Sequence, residues 1–176
     1  MEKFSLRSNI CKYWKAIISE GASSKSSLQC FNRPLSPGDT HNIWISASTD
    51  SISIKKACVK ARLVTGVYVL QKDRSKLYGS RVKPECVLCK DGDEDRNHFI
   101  LKCRTLDSVR TVFMTKLKNI FIKIGHVWLY TRELLLQLIL DLTHPSIPMK
   151  LQGVDVRCKI ESIARGLCFE LLPKHL

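Results

Sequence analysis

Cys86-Val87-Leu88-Cys89-Lys90-Asp91-Gly92-Asp93-Glu94-Asp95-Arg96-Asn97-His98-Phe99-Ile100-Leu101-Lys102-Cys103 is the stretch on which the fold turns. It holds four soft or borderline donors in two pairs, Cys86 with Cys89 and His98 with Cys103. Zinc takes four such donors in a tetrahedron. A Cys-x-x-Cys turn places two sulfurs on one lobe of the metal. A His and a Cys five residues apart supply the other two from a helical turn or a tight loop. No position stays open, so the pattern predicts one closed, structural zinc.

Between the pairs, Lys90 to Asn97 offer no apolar side chain to bury. A metal explains why such a segment holds a shape better than packing does. Two other readings stand beside it. The four side chains could be clustered buried thiols and a histidine, or Cys86 and Cys89 could be a redox pair. The redox motif prefers a βαβ context, and no convincing strand pair is visible. Three thiolates and a neutral imidazole leave a zinc site with one net negative charge.

The charge of the chain is placed around this segment. Its 176 residues carry 29 basic and 16 acidic side chains, a net +13. Residues 51–85 hold nine basic and two acidic side chains, and residues 104–130 hold five and one. Positive charge concentrated beside a zinc knuckle points to a polyanion, against the alternative of a surface charged only for solubility. The candidate phosphate contacts are Lys55, Lys56, Lys60, Arg62, Lys72, Arg74, Lys76, Arg81 and Lys83. Tyr78 is the candidate for stacking on bases, whereas Tyr68, after the Thr65-Gly66 turn, belongs in the core. Nothing here reads a base edge, so binding to RNA or DNA is expected to be sequence-tolerant and salt-sensitive.

Eight cysteines could instead signal disulfides. The first residues, Met1 to Arg7, lack an apolar signal-peptide core, and no Asn-x-Ser/Thr acceptor occurs. An intracellular, reducing setting and metal rather than disulfides are expected. The basic pair Lys55-Lys56 is too short to serve as a nuclear address. The richest apolar run, Leu134 to Leu142, is short and interrupted by Gln137 and Asp141, so it reads as a core helix and no membrane is expected as a partner.

The remaining sequence reads as helices. Leu6, Ile10, Tyr13, Trp14, Ile17 and Ile18 recur at helical spacing, with Gly21 as a stop. Pro34, Pro37 and Gly38 keep residues 22–43 irregular. The expected division is an N-terminal helix and arm over residues 1–43, then a helical domain over 44–176, with Trp44 and Ile45 docking the arm. Thr49 or Asp50 can cap a helix with Ile54, Ala57, Cys58, Ala61 and Val64 on one arc and Lys55, Lys56, Lys60 and Arg62 opposite. Gly66 ends it, and Val67 to Leu77 continue as a second helix. Leu106, Val109, Phe113, Leu117, Ile120 and Ile124 mark a long helix stopped by Gly125. Thr131 caps a Leu-rich helix, and Val156, Ile160, Ile163, Leu167 and Leu171 mark a last one closed by Pro173. The predicted class is all-α, with a Cys-Cys-His-Cys zinc-stapled loop.

Two blocks carry a family resemblance. Arg62-Leu63-Val64-Thr65-Gly66-Val67-Tyr68-Val69-Leu70 resembles a segment that lies beyond the polymerase module of non-LTR retrotransposon reverse transcriptases. The Cys86–Cys89 turn, the run from Gly92 to Cys103, and Arg110 resemble the zinc-binding region that follows it. The likeness covers residues 60–110; outside them it weakens to helical character. It implies a zinc-binding domain that helps a reverse transcriptase hold RNA or target DNA, with the polymerase core or another protein as a possible partner. The chain departs from the family in having no Tyr-x-Asp-Asp pair, and 176 residues are too few for a polymerase. Polymerase activity is therefore not carried over. His41, His126, His144 and His175 have no Cys, Ser or carboxylate paired with them in sequence, so no enzyme is expected. Beside a nucleic-acid-binding module stand a zinc-shaped protein-interaction module and a transposon remnant without a role.

Overall fold

The computed structural model describes residues 2–25, 28, 30, 40–125, 131–151 and 153–172. Among the described residues every regular element is helical, and extended pairing is limited to an isolated antiparallel bridge between Glu85 and Asp93. The helices are α1 (Glu2–Ser23), α2 (Asn42–Ile45), α3 (Ser51–Thr65), α4 (Gln71–Tyr78), α5 (Asp107–Lys123), α6 (Arg132–Leu140) and α7 (Val154–Leu171). The all-α class is as expected. No described helix is long and apolar enough to cross a membrane.

Local chemistry sets the boundaries. Asp50 Oδ1 accepts from the backbone N–H groups of Ile52 and Ser53 at 3.0 and 2.9 Å, which caps α3. Gly66, at φ 71°, closes it in the left-handed conformation that favours glycine. Thr131 Oγ1 accepts from Leu134 N at 3.3 Å and caps α6. α4 starts at Gln71 rather than at Val67: after Gly66, Tyr68 N donates back to Arg62 O at 3.1 Å, and Leu70 is extended, at φ −84° and ψ 166°. α1 continues through Gly21 to Ser23. Pro173, the expected stop of α7, and most of the expected irregular arm lie outside the described residues.

α7 is the centre of the body. It packs on α3 and α5 and also touches α2 and α6. A helix with neighbours on several sides buries more than one stripe. Thus Ile160, Leu167 and Leu171 are buried as expected, and Glu161, Ala164, Arg165, Gly166 and Cys168 are buried with them. At Gly166 the α5 side chain Phe113 comes so close that a Cβ would sit 2.8 Å from its ring. The Leu-rich face of α6 is not left for a partner: Leu138, Ile139 and Leu140 are fully buried in the same core.

Three expectations need correction here. Lys60 is not on a basic outer arc. It is 0 % exposed, and its Nζ donates to Glu161 Oε1 at 2.7 Å across the α3–α7 contact. The buried face of α3 is Ala57, Lys60, Leu63 and Val64, rotated from the predicted arc so that Ile54 stays exposed. The rotation follows from Val59 and Leu63, two apolar side chains that fall on the arc of Lys55, Lys56, Lys60 and Arg62, and from Glu161 on α7, which accepts from the lysine. Secondly, Trp44 and Ile45 are exposed, and it is Asn42 and Ile43 that dock α2. Arg165 fixes that turn, donating from Nη1 to Ile43 O at 2.8 Å and from Nη2 to Ser46 O at 2.8 Å. Thirdly, His41 is not isolated. Its Nδ1 accepts from Ile43 N at 3.2 Å, and its Nε2 lies 3.3 Å from the buried carboxylate of Asp141.

Candidate metal centre

The knuckle is built by backbone bonds before any side chain is considered. Lys90 N donates to Cys86 O at 3.0 Å, Cys86 N to Gly92 O at 3.0 Å, and Glu94 N to Pro84 O at 2.8 Å. Lys90 and Gly92 take positive φ angles of 56° and 76°, which lets the loop fold back so tightly. This turn carries Cys86 and Cys89. The second pair comes from a wide, π-type turn over His98–Lys102, in which Cys103 N donates to His98 O at 2.8 Å. The five-residue spacing explains it. An α-turn closes in about 3.6 residues and would swing the two side chains apart, whereas an i→i+5 turn brings them to one side. Asp95 starts the turn by accepting from His98 N at 2.8 Å.

The four predicted donors converge. Each of Cys86, Cys89, His98 and Cys103 offers a ligand atom, and these atoms lie within 4.8 Å of one another. Cys86 Sγ is 3.8 Å from Cys103 Sγ, and Cys89 Sγ is 3.2 Å from His98 Nε2. A tetrahedron with metal–sulfur arms of ~2.3 Å has sulfur–sulfur edges of about 3.8 Å, so the donor set fits one ion. Cys86 and Cys103 are fully buried, His98 nearly so, and Cys89 half-buried. Burial pushes the Cys86 thiol up to about 12, so an ion that takes this sulfur as thiolate must expel a proton from it. Among the described residues all eight cysteines are free thiols.

Supporting residues surround the knuckle. Glu94, in a run of charged and polar residues that would ordinarily be solvated, is 0 % exposed. Its Oε2 accepts from Gln71 N at 3.0 Å, because Leu70 offers α4 no capping side chain, and its Oε1 lies 3.4 Å from Cys86 Sγ. Arg96 Nη1 donates to Val64 O at 3.2 Å and ties the loop to the end of α3. Arg110 reaches from α5 to the far side, donating from Nε to Ile100 O at 2.8 Å and from Nη2 to Cys103 O at 2.9 Å. Sequence reasoning gave Arg110 and Glu94 no such roles; their contacts lie 7 to 23 residues away and leave no local periodic signal.

The predicted phosphate contacts separate. Lys55, Arg62, Arg74, Lys76, Tyr78, Arg81 and Lys83 are exposed. Lys56 is half-buried with its Nζ 5.9 Å from the Phe169 ring centre. Lys72 reaches Asp93 and Asp95 at 3.4 and 3.5 Å. Arg74, Arg81, Lys83 and Lys90 line one open groove of about 310 Å³ beside the knuckle, with Glu85 as its acid. Lys90 was missed by sequence reading, which credited the Cys-x-x-Cys turn with metal binding alone. A second depression at the knuckle is lined by Asp91, Asp93 and Asp95 with His98 and Lys102. Of the other histidines, His144 bonds Ser146 Oγ at 2.8 Å, and His126 and His175 lie outside the described residues.

No family model matches the chain, and no curated protein or solved structure matches it.

Proposed function

We propose that this chain is a non-catalytic module, stapled by one structural zinc, that holds single- or double-stranded nucleic acid through its backbone. The carrying observation is the basic groove of Arg74, Arg81, Lys83 and Lys90 set against the Cys3His knuckle. The donor chemistry supports zinc: three thiolates and an imidazole at tetrahedral spacing suit zinc and leave no vacant position for a reaction. The metal's contribution is folding, worth about 10–16 kcal/mol in zinc-finger peptides at neutral pH. The groove's cations contribute by releasing counterions from phosphates. Tyr78, exposed three residues before Arg81, adds a stacking surface for an unpaired base. The likeness of residues 60–110 to the region beyond a retrotransposon polymerase module agrees with this role and supplies a lineage for it.

Fluorescence anisotropy with generic RNA, single-stranded DNA and duplex DNA at two salt concentrations tests the reading. Binding should weaken steeply with salt, and Arg81→Glu with Lys83→Glu should abolish it while the zinc content stays unchanged. Absence of binding to all three at low salt would favour a protein-interaction module instead.

A further inference from the structure

The apolar row of α1 lies in solvent. Leu6, Ile10, Tyr13, Trp14, Ile17 and Ile18 are between 40 % and 65 % exposed, although they make a continuous face. Such a face on a stable domain marks an interaction surface. Four of these residues, Leu6, Ile10, Tyr13 and Ile17, step along the helix by four, three and four positions, which is the seam of a coiled coil. Continued by the same rule, the seam meets Lys3 at one end and Glu20 at the other.

This row is its own complement when read backwards. Laid antiparallel on a second copy, Leu6 falls opposite Ile17, Ile10 opposite Tyr13, and position 3, a lysine, opposite position 20, a glutamate. Each pairing occurs twice, as a twofold axis requires. A parallel arrangement would set lysine against lysine and glutamate against glutamate, so charge selects the antiparallel direction. Antiparallel packing also opposes the two helix dipoles. At the middle of the seam Tyr13 and Trp14 already stack edge to face, with ring centres 5.7 Å apart, and present a preformed aromatic patch. The helix is 22 residues, so the shared contact runs about 33 Å. Most helical stability in proteins comes from packing an apolar face, and pairing supplies that packing.

We propose that α1 is a dimerisation element: two copies of this chain join α1 to α1, antiparallel, in the register that sets Leu6 against Ile17 and Ile10 against Tyr13. The inference is independent of what the basic groove binds.

Sedimentation equilibrium of the full, zinc-loaded chain at micromolar concentration should give twice the chain mass of 20.1 kDa. Ile10→Asp should return it to the single-chain mass with zinc content unchanged, and Ser8→Asp, on the polar face, should leave the dimer intact. Mixing a Leu6→Cys chain with an Ile17→Cys chain, oxidising mildly and mapping the linked peptides should join position 6 of one copy to position 17 of the other. A monomer throughout, a dimer that survives Ile10→Asp, or links only between like positions would overturn the proposal.

Discussion

Glu94 Oε2 accepts the backbone N–H of Gln71 at 3.0 Å, and through that bond the metal knuckle holds the first turn of α4, the helix that carries Arg74. The knuckle and the basic groove are therefore one mechanical unit. Loss of the bond leaves a buried donor unsatisfied. Glu94→Ala is expected to cost about 1–3 kcal/mol, and Glu94→Gln, which keeps an acceptor, to recover most of it. Urea unfolding midpoints measure both.

Lys60 and Glu161 form a fully buried ion pair between α3 and α7. Removing one partner strands the other. Lys60→Met alone is expected to destabilise by about 3–5 kcal/mol, whereas Lys60→Met with Glu161→Leu should restore most of the loss, because two apolar groups replace two charges. A double-mutant cycle in urea reads the difference. Because Lys60 is out of reach of solvent, the stable double variant should bind RNA with unchanged affinity.

Asp50 caps α3, and its hydrogen bonds from Ser48, Ser53 and Ile52 hold its carboxyl well below the usual carboxylate range. A depressed folded-state value stabilises the protein above the unfolded-state value, near pH ~4, and that contribution fades as the pH falls further. Asp50→Ala should therefore lower the melting temperature at neutral pH, and the gap from the unmodified chain should narrow progressively below about pH 4. Melting curves from pH 7 downwards test this.

Metal binding should weaken in acid. The Cys86 thiol, raised by burial to about 12, is protonated in the metal-free chain at neutral pH, so each ion bound there displaces a proton. Competition with a chromogenic chelator should show apparent affinity falling as pH falls, by about tenfold per unit for each proton displaced. Affinity independent of pH would rule out thiolate ligation at this position.

The sequence told most about the features written in adjacent residues. The two donor pairs were legible because ligand spacing is local, and the caps Asp50, Thr131 and Gly66 were legible for the same reason. Periodicity placed Ile160, Leu167 and Leu171 of α7 and Leu117 of α5 in the core, whereas Ile124 stays exposed and Arg110 and Phe121 of α5 are buried beside Leu117. What failed depended on distant partners. Lys60 looked like a surface cation until Glu161, 101 residues away, received it. Glu94 looked solvated because the orphan N–H it serves belongs to a helix start 23 residues earlier. His41 looked solitary because Asp141 lies a hundred residues on. The exposure of α1's apolar row was invisible for the opposite reason: a seam for another molecule has the same period as one for the protein's own core.

The most direct measurement is X-ray absorption at the zinc edge on the purified, full-length chain, with metal content measured on the same sample. One zinc per chain is expected, with three sulfur neighbours at ~2.3 Å and one nitrogen at ~2.0–2.1 Å, and Cys103→Ser should lose both the metal and the helical signal of the surrounding segment. A chain that folds identically without metal, or a zinc shell with fewer than three sulfurs, would contradict it.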